Sequence, residues 1–133
     1  YFPVQQMRDG LAQMHAAMVA GRALDLATNH LPENPPPGLS TEVVRVAALA
    51  RVLAREPSER HREHLTSGIY NHAAGFAIEP IPQDFSATRA HRFAVDTDED
   101  YRRLGAAADR LQDLHASAEQ VAAWLATAGA GVP

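Results

Sequence analysis

Apolar positions recur at helical spacing along most of the chain. Val4, Met7, Leu11, Met14 and Met18 step by three and four, which predicts a helix over Tyr1–Val19 that Gly21 ends. Gly21–Leu31 reads as a shorter helix carrying Leu24, Ala27 and Leu31. Four prolines between Pro32 and Pro37 remove amide donors and fix φ, so the run to Gly38 is a stiff loop. Ser40 caps a further helix, in which Val43, Ala47, Ala50 and Leu53 lie close to one face and Val46, Leu49 and Val52 widen it. The stretch Ser58–Glu79 has the length and residue types of one continuous central helix. Leu65, Ile69, His72 and Phe76 share one of its faces, and its other faces are small or apolar. Such a helix is buried on more than one side.

Gln83–Val95 has no helical period and reads as a loop with Phe85 and Phe93 as anchors. Thr97 caps the next helix, with Asp98, Glu99 and Asp100 at the positive end of its dipole and Tyr101, Leu104, Ala108 and Leu111 as its stripe. Ser117 to Gln120 matches a capping box for a last helix presenting Val121, Trp124, Leu125 and Ala128. No alternating stretch competes as a strand. The expected fold is all-α, a bundle of about six helices in a single domain over residues 1–133, with the central and last helices forming a dimer bundle.

Composition narrows the function. A net charge of −4 argues against a nucleic-acid surface on this chain. Every one of the 12 basic residues is Arg, spread over the helices instead of clustered. The absence of Cys excludes disulfides and thiolate chemistry. No apolar run is long enough to span a membrane and no signal peptide is visible, so a cytoplasmic protein is expected.

Three places resemble the regulatory part of the tetracycline-repressor (TetR) family. Tyr1-Phe2-Pro3 followed by Met7 and Leu11 is similar to the turn that leaves that family's recognition helix, although Gln5 stands where the family usually has Lys. His30-Leu31-Pro32 and the Pro run are similar to its link between middle helices. Ile69–Glu79, with Gly75–Glu79 as the nearest local match, and Asp98–Ala128 are similar to its dimer-forming helices. No Ser/His/Asp triad, nucleophile elbow or phosphate cradle is legible, so no enzyme is expected. The resemblance implies a ligand-sensing, dimerising domain of a transcriptional regulator. It binds a small hydrophobic or aromatic ligand, and DNA only through an upstream domain absent from this chain. A free-standing helical protein-interaction module is the alternative, and a small enzyme using His72 as general base is a third reading.

The candidate ligand residues are Met14, His15, Met18, Leu49, Leu53, Asn71 and His72. The candidate dimer residues are Gly68, Ala74, Gly75, Ile78, Val121, Trp124 and Leu125. Each has a plainer reading as core or solvated surface: Met14 and Met18 fill gaps, and His72 fits a core histidine bonded to a carbonyl. His61 and His64, three apart, could share an ion but lack further ligands, so no metal and no cofactor is expected. The Asp96–Asp100 run lacks the spacing of a calcium loop and is explained by helix capping.

Overall fold

The computed structural model describes residues 4–55, 64–113 and 116–128. The chain divides into two compact units, one made of Val4–Glu33 and Thr41–Pro82, the other of Asn34–Ser40 with the chain from Gln83 onward. The first unit contains α1 (Val4–Val19), β1 (Leu26–Thr28), β2 (Glu42–Val44), α2 (Val46–Arg55), α3 (Ser67–Asn71), a 3-10 turn (Ala73–Gly75) and β3 (Ile78–Pro80). The second contains α4 (Asp98–Leu111) and α5 (Ala118–Ala128).

The all-α expectation is corrected by a three-stranded sheet of order β2-β1-β3. β1 runs antiparallel to β2 and parallel to β3. The segment read as a helix over Gly21–Leu31 holds β1 in its place. Its Leu26, Ala27 and Thr28 are all fully buried, because helices cover both faces of the strand. A strand buried on both faces shows no polar alternation, and at three residues it is too short to show a period. The next helix starts later than expected, because the β-branched pair Val43-Val44 goes into β2 before α2 begins.

The central helix is also corrected. Within its described part only Ser67–Asn71 is α-helical, and His72 closes it at φ −122°, ψ 36°. Phe76 is extended and the chain passes into β3. Tyr1–Pro3, Ser58, His61 and Gly129 lie outside the described residues.

Register explains the layering. Leu26 faces Val44 and Ile78 on one side of the sheet, where α2 and α3 pack. Leu26, Ala48, Val52, Ile69 and Phe76 form that core. Gly68 is central to it, since a Cβ there would collide with Val52 Cγ1. Ala27 and its register partner Val43 face the other side, against α1. A Cβ on Gly10 of α1 would sit 2.7 Å from Val43 Cγ2 and 2.9 Å from Ile81 Cδ1, so the missing side chain lets the helix lie close. The first unit is therefore an α/β/α sandwich.

In the second unit, Leu39, Phe85 and Ala118 form the core with Phe93 packed on it, and the loop aromatics act as the anchors their sequence suggested. Both caps are formed. Thr97 Oγ1 accepts from Asp100 N and Asp100 reaches back to Thr97 N. Ser117 and Gln120 exchange the same pair of bonds. Val121 and Trp124 are half-buried and Leu125 is buried. Among the described residues no helix is long and apolar enough to cross a membrane.

Candidate functional site

The carboxyl end of β1 gathers the polar residues of the first unit. Antiparallel pairing sets Thr28 directly opposite Glu42 on the α2/α3 face. α3 crosses that face and adds Tyr70 and the residue before its first turn, Thr66. The Tyr70 hydroxyl lies 2.5 Å from Glu42 Oε1 and 2.8 Å from Thr28 Oγ1, and Thr66 Oγ1 donates to Glu42 Oε2 at 2.8 Å.

One phenolic proton cannot serve two acceptors, so the network has a direction. A carboxylate only accepts, so Tyr70 donates to Glu42 and the Thr28 hydroxyl donates to Tyr70. The His30 amide in turn donates to Thr28 Oγ1 at 3.1 Å. Burial, and then the bond to Glu42, push the Tyr70 phenol well above its ordinary value of 10.0. Tyr70 is thus a fixed proton donor. The His30 ring sits 6.3 Å from the Tyr70 ring, tilted by 60°.

Behind this row, Asn29 and Thr41 are almost fully buried. Asn29 Oδ1 accepts the Thr41 backbone N–H at 2.8 Å, and the Asn29 backbone N–H donates to the Thr41 carbonyl. The Thr41 hydroxyl oxygen is buried with no hydrogen-bond partner among the described residues. A buried polar atom in that state is a ready seat for a water or a ligand group. Glu42 and Tyr70 are half-buried, so the row is reachable from solvent. A carboxylate offers about four acceptor positions. Among the described residues two of those on Glu42 are taken, and the rest suit hydroxyl or amide donors on a small molecule.

At the amino end of β1 stands a second polar group, Asp25. It takes both Arg51 nitrogens at 3.0 and 2.9 Å and the Ala77 amide at 2.9 Å. Burial pushes its carboxyl up, but Arg51, the Ala77 amide and Arg45 outweigh this and hold it below the ordinary 3.8. The Arg51 guanidinium lies 4.5 Å from the centre of the Phe76 ring. The second unit has its own acidic group, Asp100, bonded by Thr97, Arg103 and the Asp96 amide. It also holds an apolar cleft of about 230 Å³ lined by Phe93, Leu104, Ala107, Leu111 and Val121.

Sequence reasoning pointed elsewhere. His15, Met18, Asn71 and His72 are exposed, Leu53 is 39% exposed, Met14 is half-buried and Leu49 packs on the core. Of the residues assigned to a dimer face, Gly68 is buried against Val52, Ala74 and Gly75 are exposed in the 3-10 turn, and Ile78 packs on the core from β3. Thr28, Glu42 and the Thr66–Tyr70 turn are distant from one another in sequence, and Thr28, Glu42 and Thr66 had no local signal. Among the described residues no group of three or more His, Asp or Glu is placed to hold a metal ion.

No protein-family model and no curated protein matches the sequence. Among solved structures the chain is similar to a cytidylyltransferase from Leptospira borgpetersenii serovar Hardjo-bovis (strain JB197), with a TM-score of 0.63 and 18% identity. The match covers 89% of this chain and 48% of that one, so the chain spans about half the length of that enzyme. At this identity the likeness is one of fold. It corrects the TetR resemblance, and with it the regulator, the interaction module and the non-enzyme reading. The fold shared with the cytidylyltransferase is α/β, the same conclusion the sheet reaches on its own.

Proposed function

We propose that this chain forms the acceptor-binding part of an enzyme that transfers a cytidylyl group. In that reaction an acceptor oxygen attacks the α-phosphorus of CTP, the bond to the bridging oxygen breaks, and pyrophosphate leaves. The observation that carries the reading is the directed row Thr28–Tyr70–Glu42–Thr66 at the carboxyl end of the central strand. In open α/β sheets, ligands bind outside the carboxyl ends of the strands. The row presents a carboxylate and hydroxyls with no Arg among its members. A triphosphate needs cationic donors, whereas a hydroxyl-rich acceptor such as a sugar matches the remaining acceptor positions of Glu42.

Glu42 binds and orients the acceptor hydroxyls, Tyr70 fixes the Glu42 rotamer, and Thr28 passes the order of the strand to Tyr70. The cytoplasm, where CTP is available, is the fitting location. The test is pyrophosphate release by the complete protein from CTP with a panel of sugars and sugar phosphates. Release that depends on one acceptor, and that is weak with ATP or GTP, supports the reading. Absence of release with every acceptor, together with no acceptor binding by calorimetry, refutes it.

A further inference from the structure

A hydroxyl that attacks phosphorus must lose its proton, and the row Thr28–Tyr70–Glu42–Thr66 gives that proton no place to go. Thr28 and Thr66 are alcohols, which accept hydrogen bonds but do not take up a proton near neutrality. Tyr70 keeps its own proton, because its phenol is pushed well above the ordinary 10.0 and its one hydrogen is given to Glu42. Glu42 already accepts a donor on each oxygen, and its remaining capacity is what orients the acceptor. A nucleophile that arrives ionised, such as a phosphate, would need no base. It would need cations, and the row has no Arg among its members.

His30 stands at the end of this row. β1 ends at Thr28, and the chain turns at Asn29, whose burial and paired bonds with Thr41 fix the turn. The His30 backbone N–H is held by Thr28 Oγ1, and its half-buried ring lies beside the Tyr70 ring at 6.3 Å. The imidazole therefore shares the α2/α3 face with Glu42, with Tyr70 between the two. Imidazole is the side chain best suited to accept a proton near neutral pH. We propose that His30 is the general base of the transfer: its imidazole takes the proton of the acceptor hydroxyl as that oxygen bonds to the α-phosphorus of CTP. The bond to the bridging oxygen breaks, pyrophosphate leaves with the electron pair, and the imidazolium passes its proton to solvent. The inference rests on the acceptor reading and narrows it, because it commits the nucleophile to a hydroxyl.

Steady-state kinetics of pyrophosphate release by the complete protein decide it, with a sugar and with the matching sugar 1-phosphate as acceptors. His30→Ala is expected to lower kcat with the sugar about a hundredfold or more and to leave the acceptor KM within about twofold. Imidazole added to the buffer supplies the missing base. It is expected to raise kcat of His30→Ala about tenfold or more, and to leave wild type and Tyr70→Phe unchanged. His30→Gln, which keeps a polar side chain of similar length, should show the same loss of kcat, so poor folding of one variant does not decide the outcome. An undiminished kcat in both variants, a loss that imidazole fails to relieve, or a wild type active only with the sugar 1-phosphate overturns the inference and leaves cytidylyl transfer standing. A wild type inactive with every acceptor removes the acceptor reading itself, and the inference with it.

Discussion

The two ends of β1 carry polar groups of opposite character. At the amino end, Asp25 accepts three bonds among the described residues: both carboxylate oxygens take Arg51, and one also takes the Ala77 amide. That set ties the start of β1 to α2 and to the residue before β3. At the carboxyl end, among the described residues, Glu42 receives one bond on each oxygen and keeps acceptor capacity, and Thr41 keeps a buried hydroxyl oxygen without a partner. A nearly filled set of bonds held by a cation is the mark of structure, since little remains to offer a ligand. An organised but open set is the mark of a site, since the order is already in place and the capacity is not used. Carboxylate count alone would not separate the two ends.

Four experiments sharpen or break this contrast. Asp25→Ala leaves the Ala77 amide and the half-exposed Arg51 without their acceptor, and is expected to cost about 3 kcal/mol in urea unfolding. If it instead leaves stability unchanged, Asp25 is no latch. Gly68→Ala drives a methyl into Val52 and should cost about 1–3 kcal/mol. Gly105→Ala in α4, with nothing within 4 Å of the new methyl, should gain about 0.5–1 kcal/mol by helix propensity. Thermal melts of the pair test whether the α2–α3 packing that positions Tyr70 is as tight as described. Tyr70→Phe removes the donor to Glu42 and should cost only about 1 kcal/mol in the same melts, with its main effect on acceptor binding.

The smallest effect is in acid. Asp25 and Asp100 both titrate below their ordinary 3.8 when folded, Asp100 at about 2, with its bond from Thr97 the leading cause. A carboxyl depressed by folding stabilises the protein above its unfolded value, and that contribution is lost as pH falls through the folded one. Stability should therefore decline from pH about 4 toward pH about 2, and Asp25→Asn and Asp100→Asn should each flatten the decline. An unchanged acid slope in both variants would remove these two carboxylates from the account.

What the sequence made legible was local chemistry. The Thr97 and Ser117 caps, the Pro-rich loop and the Phe85 and Phe93 anchors all follow from nearby residues and are all present. The strands were hidden because each is three residues long and β1 has no exposed face to write an alternation. The described part of the expected central helix departs from it because Gly68, Gly75 and the alanines suit a helix–helix face as well as they suit the turn and close packing found. In α1 the period grouped the right residues, but periodicity does not say which face turns inward. Gly10 decided that, because only the side without a Cβ can approach Val43 so closely. The Glu42 cluster is assembled by strand register and by α3, neither of which is visible one residue at a time.

The central claim is that the carboxyl end of β1 binds acceptor while the amino end holds the fold. Steady-state kinetics and thermal melts of Glu42→Gln and Asp25→Asn in the complete protein, side by side, test it most directly. For Glu42→Gln the expected result is an acceptor KM raised at least tenfold, a CTP KM within twofold of wild type, and a melting temperature nearly unchanged. Asp25→Asn should show the reverse, a lowered melting temperature with both KM values preserved. A Glu42→Gln variant with an unaltered acceptor KM, or with only its CTP KM raised, would contradict the assignment.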